Sequence, residues 1–80
     1  MTKEQIMGQL TSVFERVFQK QDVTITREMT AKDIEEWDSL RHIQLITDVE
    51  TAFGIKFRLR EVLSMKNVGD LIDLIQTKRA

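Results

Sequence analysis

The sequence predicts an all-α fold, a four-helix bundle with three main helices, a short third helix and a long loop between helices one and two. Three observations support this fold class. The 80 residues include no proline and only three glycines. Most apolar residues recur at the spacing that places side chains on one face of a helix. A composition of 41% hydrophobic and 31% charged residues is that of a folded globular domain.

The first helix is predicted at about residues 3–20. Thr2 followed by Gln5 matches the capping box, in which each side chain accepts a hydrogen bond from a backbone N–H of the first turn. The apolar side chains of this segment share one face, an arc of about 140°. They are Ile6, Met7, Leu10, Val13, Phe14, Val17 and Phe18.

Residues 21–38 show no clear period and are predicted to form a long ordered loop, with one helical turn near residues 30–33. The alternating residues 23–26 suggest a short strand as an alternative, but nothing else in the chain offers that strand a partner. Such a long loop in a compact domain is typically functional or mobile.

The second helix is predicted from about Ser39 to Phe53. Asp38 is a favourable N-cap, and Gly54 lies where a left-handed residue commonly ends a helix. The predicted core-facing residues of this helix are Leu45, Ile46, Val49 and Phe53.

A short third helix is predicted near residues 59–64, and a fourth begins after Asn67 as N-cap, with Asp70 in its first turn. The fourth helix is expected to bury Val68, Leu71, Ile72, Leu74 and Ile75. A chain of this length can bury enough surface for only one hydrophobic core. Residues 1–80 are therefore predicted to form a single domain.

Composition also excludes several classes of function. The formal net charge of −1 lacks the basic excess that nucleic-acid binding requires. No apolar run approaches the roughly 20 residues that span a bilayer, and the start does not resemble a signal peptide. We therefore expect a cytoplasmic monomer without membrane insertion. Zero cysteines and one histidine exclude disulfides and argue against a zinc site, so any thiol must come from an added group.

Residues 36–40, Glu-Trp-Asp-Ser-Leu, carry the most functional information. They place Ser39 in the first turn of helix two, where backbone N–H groups lack partners and the helix dipole is positive. A phosphate on Ser39 would be stabilised there by about 0.3 to 1 kcal/mol. From spacing alone, however, the more frequent role of such a serine is helix capping.

Asp38-Ser39-Leu40 at the start of a helix, continued by RHIQLITDVETAFGIKF, resembles the phosphopantetheine attachment region of acyl carrier proteins. The order of predicted elements is also similar to that family over nearly the whole chain. Val49, Glu50 and Phe53 stand where the family commonly has a hydrophobic, an acidic and an aromatic residue. The resemblance implies a four-helix bundle of acyl-carrier type.

The resemblance further implies phosphopantetheine as a cofactor, joined to Ser39 by a phosphodiester. A phosphopantetheinyl transferase would take the group from coenzyme A, and Asp38 would contact that transferase. The chain would perform no catalysis. It would carry acyl intermediates as thioesters to acyl-loading, acyl-transferring and condensing enzymes of fatty-acid, other lipid or polyketide biosynthesis.

An outward face of helix two is predicted from Leu40, Ile43 and Thr47, which lie within about 60° of each other and away from the core stripe. The resemblance implies that these residues, with Arg41 and Glu50, contact partner enzymes. The ordinary alternative is an isolated exposed hydrophobe of the kind that protein surfaces tolerate.

Several positions depart from the family pattern. Many members have glycine where this chain has Glu36, and a small residue where it has Trp37. The fatty-acid type carries four acidic residues at positions after its serine that are here Arg41, Gln44, Glu50 and Thr51, and a basic group, Lys56, Arg58 and Arg60, follows. A specialised lipid, polyketide or aminoacyl pathway is therefore at least as well indicated as general fatty-acid synthesis.

Three alternatives stay open at this point. A peptidyl or aminoacyl carrier would use the same machinery with different cargo. An unmodified helical adaptor would bind a partner helix through Leu40 and Ile43. A hydrolase built on Ser39 and His42, with Asp38 or Asp48, is disfavoured because no oxyanion hole or substrate cleft is evident. We expect His42 to contact the arm or a backbone carbonyl, and Trp37 to be a hydrophobic lid.

Overall fold

The computed structural model describes residues 2–34 and 36–79. It contains four α-helices, α1 (Lys3–Phe18), α2 (Ser39–Phe53), α3 (Leu59–Ser64) and α4 (Val68–Arg79). Within the described residues there is no β-strand, so the segment 23–26 forms part of the loop. The all-α prediction and the order of its elements are confirmed.

The predicted capping box starts α1. The Thr2 backbone N–H donates to Gln5 Oε1 at 2.9 Å, and the Gln5 N–H donates to Thr2 Oγ1 at 3.1 Å. The helix ends two residues earlier than predicted because Gln19 adopts the left-handed conformation (φ 53°). The Lys20 N–H then returns to the Glu15 carbonyl at 3.0 Å and closes the last turn.

A common apolar core joins α1, α2, α4 and the loop, and α1 packs against both α2 and α4. The predicted inner faces are buried with two exceptions, Met7 and Leu74, which are only half-buried. The prediction for Leu74 was wrong because this side chain lies about 120° around the helix from the buried Val68, further round than Leu71. That angle places Leu74 at the edge of the inner stripe.

The long loop folds over the start of α4. Ile25 and Ile34 are buried in the core. The Val68 N–H donates to the Met29 carbonyl and the Gly69 N–H to the Arg27 carbonyl, each at 2.9 Å. The loop thus supplies acceptors for N–H groups that a first helical turn leaves unpaired.

Gly69 permits the close approach of the loop to α4, since a Cβ at this position would lie 3.1 Å from the Arg27 carbonyl oxygen.

The predicted turn near Thr30 also forms, with the Asp33 N–H donating to the Thr30 carbonyl at 3.0 Å. None of the helices described is both long and apolar enough to span a bilayer.

Candidate functional site

The start of α2 is fixed by Asp38. Its Oδ1 accepts a hydrogen bond from the Arg41 N–H at 2.8 Å, and its carbonyl accepts one from the His42 N–H at 2.9 Å. The predicted N-cap is therefore confirmed. This cap positions the first turn of α2 directly after the loop.

Ser39 is the first residue of α2 and is exposed. Since Asp38 caps the helix, the Ser39 hydroxyl is not needed for capping. No hydrogen bond engages this hydroxyl in the part of the chain that the structure describes. The first-turn N–H groups of Ser39 and Leu40 lack intrahelical acceptors. The site therefore offers an accessible hydroxyl beside amides and a dipole that favour an attached phosphate.

Trp37 lies two residues before Ser39 and packs on the core. Its ring meets Phe14 edge-on with a centroid distance of 5.4 Å and lies 5.9 Å from Phe18. The indole Nε1–H donates to His42 Nδ1 at 3.1 Å. Trp37 is thus a hydrophobic cover, as predicted. The sequence did not predict this hydrogen bond at His42 Nδ1. The expected contact of His42 with the arm or a backbone carbonyl stays a prediction.

The groups that a hydrolase would need have other partners. His42 Nδ1 accepts from Trp37, Asp38 caps the helix, and Asp48 lies 3.8 Å from the Arg16 guanidinium. No hydrogen bond links Ser39 to His42 among the residues described. The arrangement does not activate Ser39 as an internal nucleophile.

A cavity beside Trp37 and His42, close in sequence to Ser39, is small. It measures about 70 Å³ and is lined in part by Trp37, His42 and Met65, whereas ligand pockets typically enclose about 300 to 1,000 Å³. A larger open groove of about 440 Å³ borders Phe53, at the other end of α2, about 21 Å from Ser39 along the helix. Neither of these two cavities is a large pocket beside the Ser39 hydroxyl.

The outward face of α2 is apolar at its start. Leu40 and Ile43 are 74% and 64% exposed, and Thr47 is also exposed. Two neighbouring residues make intramolecular contacts that sequence reasoning missed. The Arg41 guanidinium donates to the Val17 carbonyl, and the Glu50 carboxylate accepts from the Phe57 N–H at 2.8 Å. The first contact joins α2 to α1, and the second joins α2 to the segment after it, so neither follows from helical periodicity.

An ion pair ties the segment before Ser39 to the end of α1, with Lys20 Nζ 3.2 Å from the Glu36 carboxylate. The pKa of Glu36 is lowered, first by a hydrogen bond from its own backbone N–H and then by Lys20. Both contacts therefore favour the ionised form of Glu36.

Comparison with known proteins agrees with this geometry. The sequence model of the family described as "Phosphopantetheine attachment site" matches residues 8–75. The acyl carrier protein of Exiguobacterium sibiricum is 32% identical over 78 residues, covering 98% of this chain and 99% of the relative. The meromycolate extension acyl carrier protein of Mycolicibacterium smegmatis is 27% identical over 75 residues, covering 94% and 76%.

The fold is also similar to a solved structure, the holo acyl carrier protein of Geobacter metallireducens. The TM-score is 0.85 with 46% sequence identity, over 90% of this chain and 83% of that one. The chain therefore belongs to the phosphopantetheine attachment-site family. Within that family its function is that of an acyl carrier, with phosphopantetheine as the prosthetic group. The predicted class, function and cofactor are confirmed, and the unmodified adaptor loses its support.

Proposed function

We propose that phosphopantetheine is attached to Ser39 and that the chain presents acyl groups on this arm to a series of enzymes. The observation that carries the proposal is the exposed, unengaged Ser39 hydroxyl at the start of α2. Asp38 makes the cap in its place. Ser39 also lies within the segment that the family model matches.

The attachment step forms one bond and breaks one. The Ser39 oxygen attacks the phosphorus of coenzyme A that bears the pantetheine, and the bond from that phosphorus to the bridging oxygen breaks. The adenosine bisphosphate half of coenzyme A leaves, and the serine proton passes to a base of the transferase. Asp38 adjoins the hydroxyl in sequence and would contact the transferase while still capping α2.

When bound, phosphopantetheine supplies the thiol on which an acyl group is held as a thioester. The chain itself holds the attachment point rigidly and performs no catalysis. Its partners are the phosphopantetheinyl transferase and the enzymes that load, transfer or condense acyl groups. A tethered acyl group meets each of these active sites at a high effective concentration.

The partner-binding face of α2 is formed by Leu40, Ile43 and Thr47. The exposure of two large apolar side chains beside the attachment residue supports this assignment. Arg41 and Glu50 border the face and are proposed as secondary contacts, in addition to the intramolecular bonds that they make.

The cargo is proposed to be an acyl chain, since the relatives are named acyl carrier proteins. An aminoacyl or peptidyl cargo on the same arm is the second candidate, because the surface lacks three of the four acidic residues of the fatty-acid type. A monomer, a single domain and a cytoplasmic location stay predictions.

Intact-mass spectrometry tests the attachment. The purified apo chain is incubated with coenzyme A and a broad-specificity phosphopantetheinyl transferase. We expect one added phosphopantetheine on the wild type and on the control variant Ser64→Ala, and none on Ser39→Ala. Loading of Ser39→Ala, or no loading of the wild type by any competent transferase, would refute the proposal.

A further inference from the structure

The short helix α3 has two unlike faces. Leu59 and Leu63, one turn apart, are 73% and 75% exposed. Val62 of α3 and Met65 directly after it are half-buried and pack against the core, and Glu61 is also half-buried. Since a helix needs only one apolar face for packing, the outward leucines are not explained by the core of this chain.

Two of the residues that lead into α3, and Arg60 in its first turn, are cationic. Lys56, Arg58 and Arg60 are exposed, and none of them forms an ion pair with the residues described. The one acidic residue of α3, Glu61, points inward. Its Oε1 lies 2.9 Å from Lys78 Nζ and accepts the Arg58 N–H at 2.8 Å. The carboxylate of Glu61 thus forms its ion pair with Lys78 and not with Lys56, Arg58 or Arg60.

We propose that this surface docks a partner enzyme through an acidic patch with an apolar centre. We define the α3 surface as Lys56, Arg58, Leu59, Arg60 and Leu63. Its two leucines would enter the apolar centre while the three cations meet the acidic rim, as complementary interfaces do. The inference rests on the proposed carrier function, since a carrier must dock with the enzymes that it serves.

A protein partner fits the α3 surface better than an anionic membrane does. The helix has six residues and is about 9 Å long, whereas helices that lie in membranes present a much longer apolar face. The whole chain has a net charge of −1. An extended anionic membrane would therefore also meet acidic side chains of this chain, which it would repel. An acidic patch on a protein can be small enough to contact the α3 surface alone.

Site-specific crosslinking followed by affinity measurement tests the proposal. A photo-crosslinking amino acid replaces Leu63 in the phosphopantetheine-loaded chain, which is irradiated in an extract of its own organism. Each crosslinked protein is identified by mass spectrometry and purified. Its dissociation constant is then measured for the wild type, Arg60→Glu and Lys32→Glu. The last is the matched control, since Lys32 is an exposed loop cation without an ion pair to the described residues.

We expect Arg60→Glu to weaken binding of that protein about fivefold or more at low salt, with Lys32→Glu close to the wild type. Added salt should reduce the difference. Equal effects of the two variants, no crosslinked protein at position 63, or tighter binding to phosphatidylglycerol vesicles than to any protein would overturn the inference. Ser39 loading is measured for every variant. Normal loading with unchanged affinity separates failure of this surface from failure of the carrier function.

Discussion

At the scale of single residues, Asp38 and Ser39 have different roles at the start of α2. The Asp38 carboxylate accepts the Arg41 N–H and so fixes the first turn. Ser39 keeps an exposed hydroxyl in the same turn. A serine that had to cap the helix would offer its oxygen to the backbone. The Asp38 carboxylate thus serves the cap, and the Ser39 hydroxyl is left available for the proposed esterification.

The contact between Trp37 and His42 gives a prediction at this scale. Trp37→Phe keeps an aromatic ring against Phe14 but loses the hydrogen bond to His42. We expect a loss of about 0.5 to 1.5 kcal/mol in the free energy of unfolding, the usual net value of such a bond. Urea unfolding followed by circular dichroism measures it, because the variant has no tryptophan left for fluorescence.

A double-mutant cycle supplies the control for this prediction. His42→Ala alone removes the same bond, so Trp37→Phe should cost less in the His42→Ala background than in the wild type. Strictly additive free energies would contradict the assignment of a hydrogen bond between the two side chains.

At the scale of elements, Gly8 and Gly54 differ in their position within a helix. Gly8 lies inside α1, is exposed, and has nothing within 4 Å of where a Cβ would be. Gly54 ends α2 with φ 64° and has equally open surroundings. The two positions thus differ in backbone conformation and not in space.

Alanine substitution should therefore act in opposite directions at these two sites. Gly8→Ala should raise the free energy of unfolding by about 0.5 to 1 kcal/mol, because alanine loses less backbone freedom on folding. Gly54→Ala should lower it by about 1 to 2 kcal/mol through left-handed strain. Thermal unfolding of both variants measures the pair. Changes of the same sign would contradict the placement of Gly8 inside α1 and of Gly54 at the end of α2.

The elements were largely predictable because helical periodicity and caps are local signals. Thr2, Asp38 and Gly54 act within a few residues of their own positions, and the sequence alone placed both ends of α2. The path of the loop was not predictable. It depends on N–H groups of Val68 and Gly69 about forty residues further along, which no short-range pattern encodes.

The functional site was also predictable only in part. The resemblance indicated Ser39, and the helical spacing of α2 correctly predicted that Leu40 and Ile43 are exposed. The partner of His42 and the attachment of Arg41 to α1 depend on tertiary packing. The sequence alone therefore predicted neither contact.

At the scale of the whole molecule, ion pairs link elements that are distant in sequence. Arg27 of the loop lies 3.0 Å from the Asp73 carboxylate of α4, and Lys3 of α1 approaches the same carboxylate at 3.6 Å. The pKa of Asp73 is lowered, first by the hydrogen bond from Arg27 and then by the charges of Arg27 and Lys3. Folding therefore favours the ionised carboxylate.

This pKa shift predicts acid sensitivity. A carboxylate whose pKa is lower in the folded state contributes its stability above the unfolded pKa and loses it as the pH falls through the folded value. The free energy of unfolding should therefore decline below about pH 4. In Asp73→Asn, the free energy of unfolding should decline less over this range. Urea unfolding from about pH 7 to about pH 2 measures it.

Asp22→Asn is the matched control for the acid experiment, since Asp22 is exposed and forms no ion pair within the described ranges. It should keep the pH dependence of the wild type. If Asp73→Asn and Asp22→Asn gave the same pH curve, the contact with Arg27 would not contribute to stability in solution.

The most direct measurement of the central claim is the position of the attached group. Cleavage after lysine and arginine releases residues 33–41, in which Ser39 is the one hydroxyl side chain. After loading from coenzyme A, tandem mass spectrometry should find the phosphopantetheine on this peptide and on Ser39. The group on any other peptide, with residues 33–41 unmodified, would contradict the account.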